Sequence, residues 1–395
     1  MTEPPTIQGA APKRRIEASD VRELADAVRQ CADADEKIVD YGEFHRGLGH
    51  APPADHVRIA PPGGIIEHYV DDMTVRVRGG ARLGEVNAAL AERGQWLPLD
   101  AADDAITMAE AIAHNVAGSL RLGFGTLRDL LLGLRYVDAA GDEIAVGGRT
   151  VKNVAGYDMT KFTVGAMNTF GLISEATLRT YALPQHVTRA ELGGVNPRPL
   201  DERMTALLTA DASPTYLLLQ CNEQGEASMA AGYFGTEKGC GVQIESLKRW
   251  LSEGDAVADG IDVRDATLTE DTERRAATQP TRGEHARVKL IVPPASTGRL
   301  IEVLQQSVSP ASLTVLPTHG IVWMSGAWSV DRARDFDATI RRAVESEGGL
   351  RIWHQRPDDT PDIPPIAPAP ADWPVLGRII ATLDAQERFN PGRLF

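Results

Sequence analysis

Apolar positions recur at Val21, Leu24, Ala25 and Val28 behind Ser19, the spacing of one helix face following a serine cap. The pattern then changes period. Short apolar runs at 38–39 and 57–59, and the alternation of valine with arginine over 74–78, predict strands. Leu83, Val86 and Leu90 share a helix face closed by Gly94, with Pro98 beyond it as a stop, and an alanine-rich helix is expected over 107–116. Residues 130–137 and 144–146 flank Ala139-Ala140-Gly141-Asp142, the composition of a hairpin connection, and 172–183 reads as one long strand ended by Pro184. Beyond a linker-like stretch at 193–199, strands are expected at 216–220, 242–245, 288–292, 313–316, 321–324 and 350–353. Helices are expected near Ala227, Leu247, Leu300 and Phe336, giving a second antiparallel sheet with helices on one side. A proline-rich extended segment at 357–374 precedes a last helix over 375–388.

The chain of 395 residues is long enough for two cores, and its 55 acidic against 41 basic side chains give a net charge of −14. Phosphate neutralisation by basic side chains dominates nucleic-acid affinity, so no nucleic-acid partner is expected. Cys31, Cys221 and Cys240 are too scattered for a disulfide framework or a zinc site, which fits a cytoplasmic protein. Residues 1–15 read as a disordered leader without the apolar core of a signal peptide, and no direct membrane insertion is expected because no apolar run approaches the ~20 residues that span a bilayer. There is no GxGxxG, Walker A, GxSxG or HExxH motif, which removes nicotinamide-type Rossmann, phosphoryl-transfer, acyl-transfer and zincin chemistry.

Gly147-Gly148-Arg149-Thr150-Val151-Lys152-Asn153-Val154-Ala155-Gly156-Tyr157-Asp158 packs glycines, an asparagine and a lysine between apolar stretches. That composition suits a loop whose backbone approaches a ligand closely. With Lys161, Gly165 and the run Gly171 to Glu175, it resembles the segment "VKNVAGYD…K…GS.GTLGVITEATLR" of the small FAD-binding subunits of bacterial glycolate oxidases, in the vanillyl-alcohol-oxidase superfamily. Gly125-Thr126-Leu127-Arg128-Asp129-Leu130 resembles that family's "GSVRDLVLG", and Val75 to Leu90 with Gly94 and Pro98 resembles a third segment. The resemblance is close over residues 74–184. Beyond them it rests on residues 289–294, His319-Gly320 and Asn390-Pro391-Gly392-Arg393.

The resemblance implies an α+β fold: a PCMH-type FAD-binding domain over 16–185, made of subdomains at about 16–90 and 91–185, a cap domain over 186–374, and a C-terminal segment, 375–395, returning to the FAD domain. It implies noncovalent FAD held by Gly42, Asn115, Gly118, Arg128, Asp129, Lys152, Asn153, Gly156, Tyr157, Asp158, Ile173, Asn390 and Arg393. His45 lies beyond the position at which relatives attach their flavin covalently. It further implies glycolate oxidation to glyoxylate with a larger catalytic FAD subunit and an iron-sulfur subunit, and peripheral placement at the inner membrane through those partners. The chain departs from the family where phosphate loops require glycine: Glu43, Ala109 and Glu110 stand at those positions, and a carboxylate beside a phosphate is repelled. This motivates an alternative, a flavin-free structural partner that keeps the fold; a stand-alone D-lactate-type dehydrogenase is the third reading. No catalytic residue is assigned. His285, His319 and His354 lack metal-ligand spacing, and Trp323, Trp328 and Trp353 read as cap core or interface.

Overall fold

The computed structural model describes residues 11–39, 48–49, 52–53, 55–101, 103–148, 159–209, 212–253, 258–278, 286–308, 311–357, 360 and 362–392. The chain divides into two compact units. Unit 1 comprises residues 1–117, 125–183 and 370–395, and unit 2 comprises 118–124 and 184–369.

Unit 1 holds two main sheets. The smaller is parallel, in the order β1 (Arg14–Glu17), β3 (His56–Ala60), β2 (Lys37–Ile38), and is covered by α1 (Val21–Asp33). Leu24, Val28 and Cys31 of α1 are fully buried against Val57 and Ile59. Asp20, not Ser19, caps this helix: its side chain accepts from the Glu23 amide, while the Ser19 hydroxyl donates to the Glu23 carboxylate. The first strand includes Arg14 and Arg15, so the stretch expected as a leader already forms sheet at its end.

The larger sheet of unit 1 is antiparallel, in the order β4 (Ile65–Tyr69), β5 (Thr74–Arg78), β9 (Leu172–Arg179), β7 (Leu131–Val137), β8 (Glu143–Gly147). Since β5 pairs along its whole length with β9, the break between the two sheets falls after Ala60 and not near residue 90. The long strand expected over 172–183 is interrupted at Thr180, whose hydroxyl donates to the Gln95 side chain, and β10 (Tyr181–Ala182) pairs instead with β6 (Gln95–Trp96). Among the described residues five further helices belong to this unit: α2 (Leu83–Ala91), α3 (Met108–Ala113), α5 (Leu127–Leu130), α6 (Met159–Thr163) and the C-terminal α12 (Trp373–Leu383). The helix α12 stops at Leu383, short of the expected residue 388, because Asp384 accepts from the Phe389 amide and turns the chain.

Unit 2 is one antiparallel nine-stranded sheet. Its order is β14 (Gly260–Ala266), β11 (His186–Gly193), β13 (Ala227–Gly235), β12 (Tyr216–Cys221), β16 (Ser312–Leu316), β17 (Ile321–Gly326), β15 (Ala286–Ile291), β18 (Leu350–Gln355) and β19 (Ile366–Ala367). One face is sealed by α7 (Leu200–Thr209), α8 (Glu237–Ser252), α10 (Thr297–Ser307) and α11 (Val330–Ser346), with Leu217, Leu219, Val288, Leu290, Val322 and Trp353 in a common core. Residues 242–245, expected as a strand, lie inside α8: Cys240, Ile244, Leu247 and Trp250 are buried at helical spacing behind the Thr236 cap. Ala227, expected in a helix, starts β13. The opposite face carries α9 (Leu268–Thr278) over β11, where Arg189, Tyr216, Asp271 and Arg275 form a buried hydrogen-bonded group, and α4 (Arg121–Phe124) over β12.

Candidate functional site

Several expected cofactor residues converge within unit 1. Asn115 ends the turn after α3 in the left-handed region at φ 48°, and its Cβ lies 3.5 Å from where a side chain on Gly165 would begin. The turn at 165–168 is anchored to α3 by the Gly165 amide on Ile112 (2.9 Å) and the Met167 amide on Ala113 (2.9 Å). Asn390, 4% exposed and at φ 47°, donates from its side-chain amide to the Met167 carbonyl (2.7 Å) and from its backbone to the Ile38 carbonyl (2.8 Å). The end of β2, the α3 turn and the C-terminal segment are thus fastened around one point, and the buried Asn390 is the rivet. Ile173 is buried in β9, and its carbonyl would lie 2.2 Å from a Cβ on Gly79, so only glycine fits there.

Arg128 and Asp129 go elsewhere. Asp129 accepts from the amide (2.8 Å) and hydroxyl (3.0 Å) of Thr126 and caps α5, while Arg128 is exposed beside α6 and α12. Gly118 opens the excursion into unit 2. Gly42, Lys152, Asn153, Gly156, Tyr157, Asp158 and Arg393, with Glu43, His45 and His285, lie outside the described residues.

At the start of α3 every first-turn amide is already used. Met108 donates to Ala81, Ala109 to Gly79 and Glu110 to the Thr107 hydroxyl, at 2.9, 2.8 and 3.2 Å. Glu110 itself is 3% exposed. A phosphate finds no free donor here, and a buried carboxylate stands in its way.

Unit 2 contains a site that sequence spacing alone does not assemble. On the sheet face opposite the helical core, Lys289 of β15 and Trp323 of β17 are direct cross-strand partners, with the ammonium 5.4 Å from the indole centre. His354 packs edge-on against the same indole at 4.5 Å. Burial, with Arg121 of α4 adding to the effect, pulls the Lys289 ammonium down to about 8. Burial likewise holds His319 down to about 4, again with Arg121 adding to the effect, and its Nδ1 lies 2.8 Å from the Thr318 hydroxyl. Among the described residues the charged neighbour that both groups sense is another cation, Arg121. Trp328 and Trp353 are core as expected, in contact at 6.0 Å, whereas Trp323 belongs to this cluster. No group of three or more potential metal ligands occurs among the described residues.

The fold and the fastened N-terminal unit define a class. Residues 12–161 match the family of FAD binding domains, and that match supports FAD as the cofactor of this PCMH-type unit. More particularly, the chain is 30% identical over 153 residues to glycolate oxidase subunit GlcE of Escherichia coli, a match covering 38% of this chain and 43% of that one. It is 33% identical over 174 residues to the mitochondrial cytochrome-type D-lactate dehydrogenase of Arabidopsis thaliana, covering 42% of this chain and 29% of that one. The matches thus span less than half the length of these relatives. Among solved structures, a chitooligosaccharide oxidase shares the fold over 99% of this chain and 94% of its own, with a TM-score of 0.71 at 13% identity. An alkyldihydroxyacetonephosphate synthase does so over 95% and 75%, with a TM-score of 0.69 at 15% identity.

The residues fit FAD unevenly. Asn115, Gly165 and Asn390 present the tight, left-handed backbone that a dinucleotide framework needs, and Ile173 lies buried in the extended β9. The first turn of α3 offers the phosphates nothing.

Proposed function

We propose that the chain is the FAD-binding subunit of a multisubunit oxidase or dehydrogenase that converts a small 2-hydroxy acid, glycolate, to its 2-oxo acid, handing the electrons to a larger flavin subunit and an iron-sulfur subunit. The observation that carries the reading is the half-buried basic cluster of Arg121, Lys289 and His319. Arg121 and Lys289 hold the substrate carboxylate, and binding it offsets the burial of the Lys289 ammonium. His319, neutral at pH 7 because its pKa lies near 4, is left to accept the hydroxyl proton. Bound FAD supplies the chemistry of taking the two electrons with the α-hydrogen.

Calorimetric titration of the purified chain with glycolate and with D-lactate tests the cluster: binding is expected, and Lys289→Met abolishes it. Tight glycolate binding that survives Lys289→Met together with His319→Gln refutes the assignment. A stand-alone D-lactate-type enzyme needs the same cluster, so turnover by the isolated chain with an artificial electron acceptor selects that reading over the subunit.

The spent amides of α3 and the buried Glu110 favour a second reading, a flavin-free subunit that retains the fold. Visible flavin absorbance of the purified chain decides between them. A chain that is colourless and takes up no FAD supports the second reading, and Ala109→Gly with Glu110→Gly is then expected to create binding. No gain in a folded double variant counts against it.

A further inference from the structure

The helix α12 is out of keeping with its place in unit 1. It is rich in apolar residues, yet none of them is buried: Val375 is 49% and Leu383 47% exposed, with Leu376 and Ile379 half-buried between them. Across from it, α6 presents Met159, 38% exposed, together with Phe162. The two helices bound an open groove of about 950 Å³ with an apolar floor. Its rim carries Arg128, Lys161 and Arg378 against the single carboxylate of Asp372, on a chain whose net charge is −14.

We propose that this groove receives an acidic amphipathic helix of a partner subunit. The proposal rests on the subunit reading above. An apolar channel between two helices is the shape into which a third helix lays its apolar face, and the cationic rim selects carboxylates along that helix's flanks. A second copy of this chain is a poor occupant, because a two-fold contact sets the three cations of one rim against those of the other. A bilayer surface is also a poor occupant: a helix lying in a membrane needs an unobstructed apolar face, whereas here the apolar surface is the inside of a channel.

The full-length chain, tagged, is co-expressed with the larger flavin subunit and the iron-sulfur subunit of a glycolate oxidase from the same source, and the complex is captured through the tag. The wild-type chain is expected to retain both subunits. Val375→Asp with Leu383→Asp is expected to reduce the recovered partner at least tenfold, and Arg378→Glu severalfold, with circular dichroism and thermal midpoint unchanged since all three side chains are exposed. Recovery that is unaffected by either variant overturns the groove while leaving the subunit reading intact. A wild-type chain that retains neither subunit overturns both. Sedimentation with phosphatidylglycerol vesicles, or a dimer in analytical ultracentrifugation, overturns the proposed occupant if either is abolished by the same substitutions.

Discussion

Replacing Lys289 by Met removes an ammonium from the central strands of unit 2 and keeps the length of the aliphatic stem over Trp323. In the folded chain the ammonium loses its proton near 8, against 10.5 when unfolded. The difference of ~2.5 units corresponds to ~3.4 kcal/mol by the usual conversion, and solvent reaching a half-buried side chain reduces this to ~2 kcal/mol. A lysine whose folded value is depressed destabilises fully below pH 8, where both states are charged. The penalty fades between pH 8 and 10.5 as the folded form alone sheds its proton. Lys289→Met is therefore expected to stabilise the protein by ~2 kcal/mol at pH 7, and the gain falls to about a quarter of that at pH 10. Urea unfolding followed by tryptophan fluorescence at the two pH values measures both. The same protonation governs ligand binding: glycolate affinity of the wild-type chain is expected to fall about tenfold per pH unit above 8. A variant no more stable than wild type at pH 7, or equally stabilised at pH 7 and 10, refutes the picture of a cation destabilised by burial.

Asn390→Ala removes the buried bond to Met167 from a left-handed residue and is expected to cost ~2 kcal/mol, whereas Asn390→Gly relieves the backbone and costs less; thermal midpoints of the two variants decide this. Gly320→Ala places a Cβ 1.8 Å from the Val292 carbonyl at φ 62°, so a loss of ~3 kcal/mol or failure to fold is expected in chemical denaturation. Trp353→Phe leaves the Asp337 carboxylate without its 2.7 Å indole donor in the core and should cost ~2 kcal/mol, read from the urea midpoint. His319 should stay neutral down to about pH 4, so its ring resonances in NMR are expected not to titrate between pH 5 and 8.

Local patterning revealed elements whose burial follows one period. The Val75 and Val77 alternation in β5 and the Leu83, Val86, Leu90 face of α2 were legible because each packs on one side only. The strand β13 was not: its Ala-Ser-Met-Ala-Ala-Gly sequence imitates a helix, yet small residues are needed there because the Tyr216 ring would meet any Cβ on Gly232 at 1.9 Å. The residues 242–245 failed for the opposite reason, a window too short to reveal the 3.6-residue period of α8. Asn115, Ile173 and Asn390 were singled out through motif order, and the structure places Asn115 and Asn390 about the 165–168 turn and Ile173 in β9. The basic cluster was not, since Arg121, Lys289 and His319 come from distant parts of the sequence. Its one visible signal was a lysine inside the apolar run 288–292, on a strand with neighbours on both sides.

The seven residues 118–124, which leave unit 1 to pack on β12, restrict how this protein diversifies. Recombination that exchanged 184–369 as a cassette would bring in a foreign sheet while α4 and its arginine stayed with the old host. With Arg121 in the proposed substrate cluster, a new substrate preference would then require a compensating change about sixty residues upstream of the cassette.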